Sequence, residues 1–518
     1  MQKRASIDPS HRHLARRVLA LSLLAGLVDP YAAANSLPAD IPLQWPLTHE
    51  RAAQTTPLRA RLDALRISRP APAGSQPRVL TVSNCADDDS SGSLRNAVEL
   101  ALSGDTIDLS QLVCSTISLS QGALKVELDD LTLLGPGADQ LTLDAGGRDR
   151  ILLHPGSGTL TISGLTLANG RFDAVDNDIG FGGCVASGAM LVLRDSVVRD
   201  CLAVGVGSYG GAVLSGHLTM RNSTISGSSA FGDHPTNGTA AYGGGAFAYG
   251  VNILDSTISG NSAIGTDNAP LSHWEIGGGL FIARNGGSIE RSTISDNFAI
   301  RFAGGLTQEG NLELRNSTVS GNVTAQDDGG GLRVRQVTSI RVINSTIAGN
   351  HAGSHGGGIS FIDNALPSTL VSSLVSDNSS ASGADDVYSS MSLQVSGSNN
   401  LVMQAGGNVQ LPADTLTADP LLLPLADNGG ATLTRALLLD SPAIDQGENP
   451  DVRATDQRGA GYPREYNGRA DIGAYEYQGN NARALPLDAW SQVATWVLAG
   501  LLALTAGLRR QTQRAVRD

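Results

Sequence analysis

Asn316-Ser317-Thr318-Val319-Ser320-Gly321-Asn322 decides the fold, because close copies of this phrase recur along the middle of the chain. Its first serine stands at Ser196, Ser223, Ser256, Ser292, Ser317, Ser345 and Ser373, at intervals of 25 to 36 residues. A turn-type or polar residue precedes each: Asp195, Asn222, Asp255, Arg291, Asn316, Asn344 and Ser372. Further on, a second column reads Cys201, Ser228, Asn261, Asn297, Asn322, Asn350 and Asn378. A third column opens each unit with glycines: Gly182-Gly183, Gly210-Gly211, Gly243–Gly245, Gly277–Gly279, Gly304-Gly305, Gly329–Gly331 and Gly356–Gly358.

Short alternating runs such as Leu312-Glu313-Leu314 follow the glycines, which is the period of a half-buried strand. A unit this small cannot bury its inner face alone, so it must stack on its copies. The expected fold is all-β, a right-handed parallel β-helix with asparagines laddered at one corner and surplus residues in loops, chiefly 231–241 and 265–276. A propeller fits less well, since its blades need four antiparallel strands and usually more aromatics.

Composition agrees. Of 518 residues 62 are glycine, while aromatics make up 4%, as suits a regular backbone filled by small aliphatics. With 36 basic against 49 acidic side chains the formal charge is −13, which argues against a nucleic-acid partner held by phosphate neutralisation.

The ends read as addresses. Residues 1–34 carry Arg12, Arg16 and Arg17, the apolar run Val18–Val28 and the small site Ala32-Ala33-Ala34, the signature of a signal peptide. Residues 35–78 form a proline-rich linker. Residues 478–489 form a second linker, and 490–518 hold an apolar stretch of membrane-spanning length followed by Arg509, Arg510, Arg514 and Arg517. Export implies an oxidising compartment, so Cys85, Cys114, Cys184 and Cys201 are expected in disulfides; of three pairings the local one, Cys85 with Cys114 and Cys184 with Cys201, is favoured.

Three stretches resemble known families. Ser93-Leu94-Arg95-Asn96-Ala97, Gly104-Asp105-Thr106-Ile107 and Leu134-Gly135-Pro136-Gly137-Ala138-Asp139 resemble the CSLREA-type opening of surface β-helix proteins, here residues 79–170, with the repeats over 171–399. Asp419-Pro420-Leu421, Asp427-Asn428-Gly429-Gly430, Ser441-Pro442-Ala443-Ile444-Asp445, Thr455-Asp456-Gln457-Arg458-Gly459 and Asp471-Ile472-Gly473-Ala474-Tyr475-Glu476 resemble the choice-of-anchor Q domain, over 400–477. Leu485-Pro486-Leu487, Trp490 and the arginines resemble the IPTL-CTERM sorting tail; Asp488-Ala489 depart from its pattern. Together they imply a cell-surface protein, anchored through the C-terminal helix or processed there.

Chemistry is sparse. The residues before the glycine clusters form a column, Phe181, Tyr209, Tyr242, Ile276, Phe302, Asp328 and His355, whose aromatic half is either an internal ring stack or a sugar-stacking face. Asp328 and His355 should stack on neighbouring rungs about 5 Å apart, with Asp327 facing the other way. With Asp327 they resemble the Asp-Asp and Gly-His-Gly elements of polygalacturonases, although neither the Asn-Thr-Asp nor the Arg-Ile-Lys element of that family is found. Asp173, Asp176 and Asp178 share one loop without a bidentate pattern, Asp87-Asp88-Asp89 likewise, and Lys125 stands alone as the body's lysine. His217, His234, His273 and His351 are isolated. The sequence therefore points to a binding or structural, adhesin-like role toward an extracellular polysaccharide or cell-surface ligand. No catalytic residue, metal or cofactor is assigned, and the alternative is a polysaccharide hydrolase or lyase using Asp328 and His355.

Overall fold

The computed structural model describes residues 71–479, apart from 73, 176–177, 234–239, 266–273, 336–338, 363–367 and 384–385. The signal-peptide reading, most of the first linker and the tail from residue 480 lie outside the described residues. Among those described, no helix is long and apolar enough to cross a membrane.

From Val79 to Gln410 the chain winds as a parallel β-helix. Three sheets of 18, 11 and 8 strands run along it. One rung shows the pattern: Leu280–Glu290 lies in the long sheet, Thr293–Ser295 in the second and Phe298–Ala299 in the third. Equivalent residues then stack in register, Ile294 on Val319 on Ile347 and Leu280 on Leu306 on Leu332. These inward side chains are fully buried, and each contributes roughly 1.5–3 kcal/mol through removal from water. The opening segment belongs to the same stack, since Thr142 pairs with Thr166 and Thr166 with Val197. It also forms a helix, Leu94–Leu100, that the periodicity did not predict: Ser93 caps it by accepting from the Asn96 N–H, and Leu94, Ala97 and Val98 join the core.

The corners explain the columns. All seven residues ahead of the serines, Asp195 through Ser372, lie in the left-handed region with φ between 42° and 51°. Asp and Asn tolerate that conformation; Arg291 is fixed in it by a bidentate pair with Asp255 at 2.7–2.8 Å. Each serine hydroxyl after the first accepts from the serine N–H one rung earlier, as Ser292 does from Ser256 and Ser317 from Ser292, while Ser196 accepts from the Leu165 N–H. At the other corner Asn297 donates its N–H and its side-chain amide to Asn322 Oδ1, and Asn322 does the same to Asn350. The ladder runs one way to Asn378, whose donors end on Asp386 Oδ1.

Where the third residue of a cluster is glycine, it makes room for that ladder. A Cβ on Gly279 would lie 2.8 Å from Asn297 Cγ, and one on Gly305 2.9 Å from Asn322 Cγ. Where the third residue is not glycine the ladder residue is not asparagine: the two places are taken by Ala212 and Ser228 in one rung and by Cys184 and Cys201, bonded to each other, in the rung before. A disulfide thus fills the corner that a glycine–asparagine pair fills further along. Cys85 is bonded to Cys114, so both expected pairings are present, and no described cysteine is free.

Parts of the segments expected as loops are strands. Gly180–Phe181, Gly207–Tyr209, Ala240–Tyr242 and Trp274–Ile276 form a parallel four-stranded flap outside the long sheet. At the C-terminal side a cap follows Gln410. Its hairpin, Leu422–Ala426 with Thr434–Leu437, and its irregular remainder lie on the outer face of the second sheet. Gln457 is the main joint, donating to Thr293 Oγ1 and Leu433 O and accepting from Thr318 Oγ1 at 2.6 Å.

Candidate functional site

The aromatic column proves internal. Phe181, Tyr209 and Tyr242 are at most 5% exposed and pack against Phe247 and Phe281 from the outer face of the long sheet. Tyr209 stacks on Tyr242 at 5.0 Å and Phe247 on Phe281 at 5.1 Å. Flap and sheet therefore enclose a second, smaller core, and these rings are not a sugar-stacking face. Buried arginines close both ends of it. The Arg150 guanidinium sits 3.7 Å from the Phe172 ring, and that of Arg333 lies 4.0 Å from Phe302. Burial pushes both guanidinium groups down to about 10, which leaves them cationic at neutral pH.

Where the flap stops, the polar half of the column reaches the surface. Asp328 and His355 stack as expected: Asp328 Oδ1 accepts from the His355 N–H at 3.0 Å and lies 3.4 Å from its Nδ1. Ser354 Oγ shares that ring nitrogen at 2.8 Å, and the imidazole stacks on Tyr388 at 4.2 Å. The His355 side chain is 35% exposed. Asp327 diverges from Asp328, turning back to Arg301 of the preceding rung at 2.7 Å; burial pushes its carboxyl up and the Arg301 charge opposes that. Arg335 pairs loosely with Glu309 at 3.8 Å beneath this corner. Arg333 and Tyr388 escaped the sequence reading, because only strand alternation, seen once the register is known, turns them toward the column.

The corner can hold a ring against Tyr388 and His355 and can accept or donate hydrogen bonds. An inverting hydrolysis needs two carboxyl groups facing each other across a bond, about 6.5–9.5 Å apart. Here one carboxylate is tied to histidine and its neighbour to arginine.

Elsewhere several of the weighed residues are bonded within the fold. Asp173 pairs with Arg171, and Asp178 accepts from the Ile179 N–H, while Asp176 lies outside the described residues. Asp87 is held by Arg95 and the Ser120 and Gln121 amides. His351 bonds Ser379, and His234 and His273 lie outside the described residues. The sequence reading passed over His154, which is fully buried between Ser187 Oγ and the carbonyls of Leu128 and Asp129.

No family model matches the chain, and no curated protein matches it. Among solved structures it is similar to the crystal structure of pectate lyase Pel9A, at 12% identity and a TM-score of 0.43, over 78% of this chain and 97% of that one. That likeness is too low to transfer an activity or a site.

Proposed function

We propose that the protein is an exported surface β-helix that binds an extracellular polysaccharide or cell-surface glycan without cleaving it. The observation that carries this reading is the corner formed by Asp328, His355 and Tyr388. It offers a partly exposed flat ring surface beside a hydrogen-bonding carboxylate, while Asp327, the nearest candidate for a second catalytic carboxyl, is engaged by Arg301. Two disulfides support an oxidising, extracytoplasmic location. The resemblances to the choice-of-anchor Q domain and the IPTL-CTERM tail support display at the cell surface, with residues 490–518 holding the chain in a membrane.

The test is a panel of polysaccharides, uronate-containing ones included, assayed in parallel for binding by calorimetry and for released reducing ends or unsaturated products. Binding that Tyr388→Ala and His355→Ala each weaken at least about tenfold, without product release, is the expected result. Product release that Asp328→Ala abolishes would establish the hydrolase or lyase reading instead. Binding indifferent to both ring substitutions would place the ligand elsewhere on the solenoid.

A further inference from the structure

The joint between cap and solenoid holds more negative charge than its surroundings neutralise. One carboxylate oxygen from each of Asp445, Asp471 and Glu476 lies within 4.8 Å of the others, and Asp471 and Glu476 are fully buried. A single guanidinium answers all three: Arg464, itself fully buried, donates to Glu476 Oε2 at 2.9 Å. The other nearby cations are committed. Arg458 pairs with Asp456 and lies between the Tyr462 and Tyr475 rings, and Arg469 donates to the carbonyls of Gln446 and Gly447. Arg315 pairs with Asp451, and Arg453 with Glu290, across the rim. Among the described residues, the solenoid groups bonded to this part of the cap are uncharged: Asn316 toward Arg464, Thr346 toward Ala474 and Ser372 toward Gly473 and Glu448.

These acids also shape the contact. Asp471 accepts from the N–H groups of Asp445 and Tyr477, and Glu476 from those of Tyr466 and Asp471. The strand of chain they fix carries Gly473 and Ala474, whose N–H groups reach Ser372 O and Thr346 Oγ1.

We propose that Asp445, Asp471 and Glu476 form a proton-operated latch that holds the cap on the solenoid in acid and slackens as pH rises. Three like charges this close in a largely buried joint repel, and a proton taken up by Asp471 or Glu476 relieves the repulsion while leaving Arg464 a partner. Burial pushes Asp471 up to about 6 and Glu476 up to about 7, against the pull of Arg464. The closed cap therefore binds protons more tightly than the open one. Its added stability is complete below the ordinary carboxylate range and is lost as pH rises through 6 and 7.

Hydrogen exchange on the full chain tests this. Protection of the Gly473 and Ala474 amides, corrected for intrinsic exchange, should fall at least about tenfold between about pH 5 and pH 7.5, while that of the ladder amide Asn297 holds. Asp445→Asn removes one charge at the least buried of the three positions and should lessen that fall; Glu476→Gln removes the group that burial pushes highest and should shrink it at least about threefold. A flat wild-type profile would overturn the proposal, as would an unchanged fall in both variants. Recovery of protection at the higher pH on adding millimolar calcium, reversed by a chelator, would overturn it in favour of a cation site.

Discussion

Asn322→Ala cuts the asparagine ladder at a point where every bond can be followed. Asn322 Oδ1 accepts from the N–H and the amide of Asn297, and its own amide donates to Ile294 O and to Asn350 Oδ1. Asn350 Oδ1 keeps a donor after the change, because the backbone N–H of residue 322 still reaches it. The variant therefore orphans two donors on Asn297 and weakens the bonding of two carbonyls, Ile294 O and Ser320 O, all at sites at most 4% exposed. Each buried unsatisfied group costs about 1–3 kcal/mol, and partial hydration offsets some of it, so the expected loss is about 3–5 kcal/mol. Asn322→Asp sharpens the test. The carboxylate would keep the two bonds from Asn297 but turn an acceptor toward Ile294 O and Asn350 Oδ1, where a donor is needed. Only the protonated acid restores it, so this variant should be more stable near pH 4 than at pH 7.5, with stability lost as pH rises through its elevated folded-state pKa. Guanidinium unfolding followed by circular dichroism at both pH values measures the two effects. A loss below about 1 kcal/mol in Asn322→Ala, or no difference between the pH values in Asn322→Asp relative to wild type, would refute the reasoning.

Other expectations follow from the same corners. Ala212→Cys with Ser228→Cys should oxidise to a third disulfide stacked on Cys184–Cys201 and add about 2–3 kcal/mol, with mass mapping of the bridge as the check and two free thiols as the adverse result. Gly305→Ala should cost about 2–3 kcal/mol although its φ is ordinary, because the new Cβ would lie 2.5 Å from Gly331 O and 2.9 Å from Asn322 Cγ; an unchanged melting temperature would contradict that. Burial pushes Asp386 up to about 6, so it makes the fold more stable in acid and that increment fades as pH rises through 6; Asp386→Asn should flatten this part of the pH–stability profile. The asparagine should also destabilise, since one face of residue 386 receives Asn378 and the other the Gln404 N–H, and an amide can accept on only one.

The rung was legible because its chemistry repeats in register: a turn residue, a serine and an asparagine at fixed places can be found by eye, and stacking turns each column into a contact. The Asp328–His355 contact was legible for the same reason, lying on equivalent positions 27 residues apart. The flap was not. Phe247 and Phe281 enter its core from inside long strands, and nothing in their spacing separates an outward ring from an inward one. The cap's motif was visible as a resemblance, yet its physical role was hidden, since Gln457 meets Thr293 164 residues away. Nothing in the sequence likewise marks Arg464 and Glu476 as the fully buried charges they are.

The one-way ladder has a bearing on assembly. In any solenoid broken off after Asn297, Asn322 or Asn350, the terminal rung presents amide protons with nothing ahead to receive them, an open invitation to another chain of the same kind. Asp386 withdraws that invitation. A carboxylate takes the last protons from Asn378 and the Gln404 N–H and has none to pass forward, so the array cannot be continued by a second molecule placed end to end. A stack of near-identical rungs is otherwise a template for filaments, and this chain closes it with a single atom's difference between asparagine and aspartate.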